Sequence, residues 1–456
     1  MTTVTRVLLV LVAIAAAALA GAAEEAGVDG PSPSDQATAD PDAERMRWFE
    51  DAKLGIFIHW GIYAVNGVGE SWSFHNGHIT YEDYMAQLDG FSAENYDPRR
   101  WAELIRGSGA RYAVLTAKHH DGVALWDSEH TDLSVFERTP AGRDLIAPYV
   151  AALRDAGLKV GLYYSLIDWS DPDYPNFLRT QQRYSDDPER WDAFTRSNHG
   201  QIRELSERYR PDLFWFDGDW EQSAERWQAT RIREFLLEDN PGVIINSRLA
   251  GHGDYATPEQ GVPITRPKDR YWEVCMTTND SWGYQPDDHN YKSTNQIIQL
   301  FVECISMGGN LLLDIGPRAD GTICAEQVMI LEQLGRWTAK HAEAIYGTRA
   351  GLPAGHYHGP TTLAADRSTL YLYLPHRPAG PLMLKGIVTP VRSVRVVGRD
   401  AELDWEIRMK LSWSEAPGVI FIDVPEDVLD EEMTVLAVDL DGPVAVYRDG
   451  GIVAGD

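Results

Sequence analysis

Cysteine is scarce, with Cys275, Cys304 and Cys324 the only three in a chain of 456 residues. A small, odd number excludes a disulfide framework, so stability has to come from a packed core. Positive charge is in deficit as well. The chain has 41 Lys and Arg against 69 Asp and Glu, a formal net charge of −28, which argues against nucleic acid or an anionic membrane surface as partner. No glycine-rich phosphate loop follows any strand-like segment, so nucleotide chemistry has no anchor. There is no internal repeat. Beyond the N-terminus no apolar run approaches the ~20 residues of a membrane-spanning helix, so no membrane insertion is expected.

The N-terminus has the pattern of a cleavable secretory signal over residues 1–23: Arg6, an apolar run over 7–19, then small residues at Gly21-Ala22-Ala23. No cysteine stands at the junction to take a lipid. Residues 24–44 are rich in Pro, Ser and Asp without periodicity and read as a disordered linker. A secreted or periplasmic location is therefore expected.

Residues 45–346 alternate strand-like and helix-like pieces. Strands are expected near 55–59, 111–116, 160–164, 212–216, 242–246, 271–276 and 310–314, and helices at 144–156, 202–209, 226–237 and 294–305. This alternation predicts an α/β fold, a (β/α)₈-like (TIM) barrel with an eighth strand not located; a doubly wound sheet would give the same pattern. From 347 to 456 the pieces are short strands (361–363, 369–374, 391–397, 419–422) separated by Pro, Gly and Asp. A C-terminal antiparallel β-sandwich is expected there.

The chemistry collects at the expected strand ends, where a barrel of this kind carries its catalytic groups. Asp217-Gly218 follows the apolar run Leu213-Phe214-Trp215-Phe216; His59, His119 and His120 follow two others; Asn246-Ser247-Arg248 and Trp272-Glu273 supply a guanidinium and a second carboxylate. Adjacent histidines on an extended strand point to opposite sides, which disfavours joint metal ligation, and neither metal nor cofactor is expected. Imidazoles, tryptophans and a carboxylate pair suit a pyranose and the hydrolysis of its glycosidic bond.

Phe57-Ile58-His59-Trp60-Gly61, Thr116-Ala117-Lys118-His119-His120-Asp121-Gly122, Gly161-Leu162-Tyr163-Tyr164-Ser165 and Trp215-Phe216-Asp217-Gly218 stand in a characteristic order. With Trp272-Glu273-Val274-Cys275-Met276, Ser281-Trp282-Gly283-Tyr284 and Gly308-Gly309-Asn310-Leu311-Leu312-Leu313-Asp314 they resemble glycoside hydrolase family 29, the α-L-fucosidases. The resemblance implies a retaining, exo-acting fucosidase with Asp217 as nucleophile and Glu273 as acid/base. It implies fucose contacts for His59, His119, His120, Tyr164, Trp215 and Arg248. Gly69-Glu70-Ser71-Trp72-Ser73, where many members read Gly-Glu-Trp-Tyr, extends such contacts to Glu70 and Trp72. Fucose carries a methyl group where galactose has a hydroxymethyl, and by motif position Trp72 and Trp282 are candidates to face it. The partner implied is a fucosylated oligosaccharide or glycoconjugate. From the residues alone, a retaining α-galactosidase-like enzyme and a non-catalytic carbohydrate-binding protein remain alternatives, and the oligomeric state, a homo-oligomer included, is open.

Overall fold

The computed structural model describes residues 42–447. The expected signal segment, 1–23, and residues 24–41 of the expected linker lie outside the described residues. Helix Ala43–Ala52 leads into β1 (Leu54–Ile58), and β2 (Tyr112–Lys118) and β3 (Lys159–Ser165) follow. After a small hairpin, β4 (Asn176–Leu178) with β5 (Gln181–Gln182), come β6 (Leu213–Asp217), β7 (Ile244–Ile245), β8 (Glu273–Thr277) and β9 (Asn310–Ile315). Except for the hairpin these make one parallel sheet in the order β7-β6-β3-β2-β1-β9-β8. Every residue of β1, β2, β6, β8 and β9 is buried, the reason the apolar runs are continuous rather than alternating.

Helices cover the sheet. Asp97 caps Pro98–Gly107 and Asp187 caps Pro188–Tyr209, each with proline in the first turn; Ser293 and Gln296 form a capping box on Thr294–Ser306. The helix expected at 226–237 is broken at Gln228, which adopts a left-handed conformation between Ala224–Trp227 and Ala229–Asp239.

The sheet edges, β7 and β8, do not pair with each other. The extended segment 254–260 lies between them. Asp254 N–H donates to the Ile245 carbonyl and Ser247 N–H to that of Tyr255 on one side; Glu273 N–H donates to Ala256 and Cys275 N–H to Pro258 on the other. Its bridges to both sides are parallel. This Pro-interrupted segment takes the place of the strand that hydrophobic periodicity does not reveal, and the domain is TIM-like.

Downstream, β10 (Arg349–Ala350), β11 (Thr361–Leu363), β12 (Thr369–Leu374), β13 (Leu382–Lys385), β14 (Val391–Val396), β15 (Trp405–Arg408), β16 (Val419–Ile422) and β17 (Thr434–Leu440) form two antiparallel sheets. Their orders are β10-β11-β12-β17-β14 and β13-β16-β15. Strand alternation divides the larger sheet between two cores. Tyr371, Tyr373, Val435 and Ala437 join the core of the parallel domain, while Leu370, Leu372, Leu374, Leu436 and Val438 share a second cluster with Leu384, Ile420 and Ile422 of the smaller sheet.

Candidate active site

Four chain segments deliver their chemistry at one end of the parallel sheet. His59 follows β1, His119 and His120 follow β2, Asp217 closes β6, and Arg248 lies three residues past β7. Gly218 turns the chain after Asp217 at φ +84°, and a Cβ there would stand 2.7 Å from an Ile167 side-chain carbon, so glycine is required on both counts. His59, His119, Asp217 and Arg248, but not His120, which is buried behind Asp217, line a cavity of about 200 Å³, the space of about seven waters and so of one small ring.

Asp217 is the centre of a polar network. Its Oδ1 accepts from Arg248 at 3.0 Å and its Oδ2 from the Tyr163 hydroxyl at 3.0 Å, while His120 Nε2 stands 3.6 Å from Oδ2. The other arm of the same guanidinium donates to Glu259 Oε2 at 2.6 Å. Burial opposes the positive charge on Arg248, but Asp217 and Glu259 more than offset it, and its pKa is raised. Arg248 also stacks over Trp215, 4.6 Å from the ring centre.

The three histidines are buried and held from behind through Nδ1, by Asp314 for His59 (2.6 Å), Ser71 for His119 (2.5 Å) and Ser165 for His120 (2.6 Å). Burial, reinforced by neighbouring cationic or imidazole groups, pushes all three well below the ordinary imidazole pKa. Burial likewise pushes Asp314 well above the ordinary carboxyl range, with Glu70 adding to it. Both shifts favour a neutral hydrogen bond between His59 and Asp314 over an ion pair. Neutral imidazoles can accept as well as donate, which suits sugar hydroxyls. No cluster of three or more His, Cys, Asp or Glu is gathered to hold a metal among the described residues.

Glu70, Trp72, Trp215 and Trp282 line the cavity, as expected, with Phe57, Tyr163, Trp220 and Cys275 beside them. Glu70 is fixed by the Gly283 N–H at 2.7 Å, and burial raises its pKa. Two expected residues are placed elsewhere. Tyr164 points into the helical layer, its hydroxyl donating to Gln201 at 2.9 Å; side chains alternate along β3, so its neighbour Tyr163 is the one that faces Asp217. Glu273 begins β8 instead of ending it and lies fully buried beneath the cavity floor. It accepts from the Tyr112 hydroxyl and, at 3.2 Å, from Trp215 Nε1. Burial pushes its pKa to about 7 against the opposing effect of these two donors. The carboxylate that shares Arg248 with Asp217 at the cavity is Glu259, on the segment 254–260, with its side chain 41% exposed. It was missed because Thr257-Pro258-Glu259-Gln260 has neither an apolar run nor a period.

Residues 25–343 match the sequence profile of the family described as Alpha-L-fucosidase. The chain belongs to the alpha-L-fucosidase family. The tissue alpha-L-fucosidase of Rattus norvegicus is 31% identical over 395 residues, 79% of this chain and 83% of the rat protein. Among solved structures, alpha-L-fucosidase isoenzyme 1 from Paenibacillus thiaminolyticus superposes with a TM-score of 0.79 at 36% identity, covering 87% of this chain and 99% of that one. A Bacteroides thetaiotaomicron GH29 alpha-L-fucosidase, described as a trapped covalent intermediate with 2-fluoro-fucosyl fluoride, gives a TM-score of 0.78 at 26% identity, covering 91% and 98%. This fucosidase is thus a glycoside hydrolase. No helix among its described residues is long and apolar enough to cross a membrane.

Proposed function

We propose that this alpha-L-fucosidase releases terminal α-L-fucose with retention of configuration, through a covalent fucosyl-enzyme on Asp217, and that Glu259 is the acid/base. The observation that carries the reading is the guanidinium of Arg248, which holds Asp217 with one nitrogen and Glu259 with another at the cavity. Carboxylates that share one guanidinium fit the separation of direct attack, about 5–5.5 Å, better than the roughly 6.5–9.5 Å that leaves room for a water. The trapped intermediate in the Bacteroides relative supports the same course.

In the first step an Asp217 oxygen bonds to the anomeric carbon, the bond to the aglycone oxygen breaks, and Glu259 gives that oxygen its proton. In the second, Glu259 takes a proton from water, the water oxygen bonds to the anomeric carbon, and Asp217 leaves. Glu259 must part from Arg248 to carry a proton, and its half-exposed side chain has the freedom to do so. Phe57 and Trp282, 6.1 Å apart with Trp215 against Phe57 at 5.1 Å, offer an apolar corner for the sugar's methyl group. His59, His119, His120 and Glu70 take the hydroxyls. Trp72 packs edge-on against His120 and so acts at the rim. The division into a catalytic domain, 45–346, and an appended β-sandwich from 347 belongs to the same reading, supported by the core that the two antiparallel sheets share. Secretion rests on the sequence of residues 1–23.

Azide distinguishes the two carboxylates. Asp217→Gly opens the face opposite the leaving group, and azide attacking an activated α-fucoside there gives the β-fucosyl azide. Glu259→Ala still forms the fucosyl-enzyme from a substrate with a good leaving group, and azide intercepts it to give the α-azide. Finding the α-azide from Asp217→Gly would overturn the nucleophile assignment. Failure of azide to restore Glu259→Ala on such a substrate would remove Glu259 from its role.

A further inference from the structure

His59 and His119 line the cavity, His120 stands with Nε2 3.6 Å from Asp217, and for His120 the hydrogen bonds behind it dictate which ring nitrogen carries the proton. Ser165 closes β3, is the register partner of Asp217 on β6, and is fully buried. Its hydroxyl donates to the Ile167 carbonyl at 2.7 Å and lies 2.6 Å from His120 Nδ1. A serine has one proton to give. Once that proton is on the Ile167 carbonyl, the serine oxygen can only accept, so Nδ1 must be the donor. The reverse arrangement would strand the carbonyl of Ile167, a buried residue to which no other donor is bonded among the described residues. The other two histidines are not constrained in this way. His119 faces Ser71, whose hydroxyl is committed to no other partner among the described residues, and His59 faces a carboxyl able to give or take a proton.

We propose that Ser165 is a positioning residue that holds His120 as the Nδ1–H tautomer, so that Nε2 presents a lone pair to the substrate. Two acceptors, Nε2 and Asp217 Oδ2, then face each other 3.6 Å apart, and a hydroxyl donor is what fits between them. Taken with the fucosidase reading on which this part rests, the donor is the hydroxyl on the carbon beside the anomeric centre, since Asp217 has to reach that centre. His120 takes this hydroxyl's only proton. The hydroxyl is thereby prevented from donating to Asp217, and a lone pair on the nucleophile stays free for attack. Burial keeps the imidazole neutral, with His75 and Lys118 adding to the effect, so the lone pair is available.

The tautomer is read by nitrogen-15 NMR of the full chain labelled at histidine, without substrate, with the His120 signals assigned by their loss in His120→Gln. The expected spectrum has a protonated Nδ1 and an unprotonated Nε2. A proton on Nε2, or an equal mixture, overturns the proposal, and because no turnover is involved the outcome is independent of the fucosidase reading. Kinetics give the second test. Ser165→Ala should lower kcat/KM on an aryl α-L-fucoside by about tenfold, the worth of one hydrogen bond, and leave the analogue lacking the neighbouring hydroxyl nearly unaffected. Ser165→Thr should restore most of the loss. Equal losses on both substrates would show that Ser165 only supports the fold. If Ser165→Ala does not fold, the spectrum of the unaltered protein still decides.

Discussion

Glu259 and Glu273 differ in burial, partners and expected behaviour. Glu259 is part-exposed at the cavity and shares Arg248 with Asp217; Glu273 is sealed below it, gripped by Tyr112 and Trp215. Through Trp215, which carries Arg248 on its face, Glu273 touches Asp217 only indirectly. A glutamine can keep the same contacts, its carbonyl accepting from Trp215 and its amide donating to the Tyr112 oxygen. Glu273→Gln should therefore lower activity on good and poor leaving groups in the same proportion, whereas Glu259→Gln should lose far more on poor ones. The pH dependence of stability separates them further. The folded-state pKa of Glu273 is raised from 4.5 to about 7, so the folded protein keeps a proton that the unfolded chain has already lost. The resulting stabilisation is complete below pH ~4.5 and is lost progressively as pH rises to ~7, about 3 kcal/mol in all. Glutamine does not titrate. Measured by urea unfolding, Glu273→Gln should gain about 2–2.5 kcal/mol relative to the parent between pH 5 and pH 7.5; parallel pH profiles would show that the carboxyl does not titrate there.

At the scale of elements, the apolar strands were legible because burial on both faces makes each one a continuous hydrophobic run. Strand polarity was less so. The run at 271–276 does form a strand, β8, but Glu273 begins it and so stands at the end away from Asp217, and a run of apolar residues does not say which of its neighbours is at the mouth. Tyr163 and Tyr164 pose the same problem one residue at a time, since identical neighbours on alternating faces are indistinguishable until the register to β6 is known. The segment 254–260 was invisible for another reason. Its order comes from polar contacts remote in sequence. Asp254 accepts from Arg45 through both oxygens at 2.7 and 2.8 Å, from Arg233 at 2.7 Å and from the Ile245 N–H at 2.8 Å. Its side chain is only 4% exposed. These partners hold its pKa down in spite of burial, so the stability they provide is present at neutral pH and is lost as pH falls through the folded-state pKa. Asp254→Asn should cost about 3 kcal/mol by leaving two guanidinium groups without their shared anion. Because Glu259 rides on the same segment, kcat should fall as well. Loss of stability in denaturant with kcat unchanged would mean that the segment holds Glu259 in place without this anchor.

For the molecule as a whole, the antiparallel sheets are joined to the parallel sheet's domain by more than a linker. Trp337 donates to the Met433 carbonyl at 2.9 Å, and Thr362 and Tyr373 both donate to that of Ala344. Tyr371, Tyr373, Val397, Met433, Val435 and Ala437 are buried in the core that also contains the strands of the parallel sheet. The change near residue 347 from helices to short strands was legible in the sequence. That a continuous apolar core runs beneath it was not, because alternation in β12 and β17 shows two buried faces without saying what lies on either. Removing everything after Tyr346 would uncover this core. At ~1.5–3 kcal/mol for each large apolar side chain no longer buried, the loss is on the order of 10 kcal/mol, comparable to the whole stability of an ordinary domain, about 5–15 kcal/mol. A chain ending at Tyr346 should therefore aggregate or bind hydrophobic dye, and should lack fucosidase activity although every site residue discussed above is present in it. The intact chain should in turn unfold in one calorimetric transition, its sheets and its parallel domain melting together. A soluble, active fragment, or two well-separated transitions, would show that the two parts are independent and that the shared core contributes little.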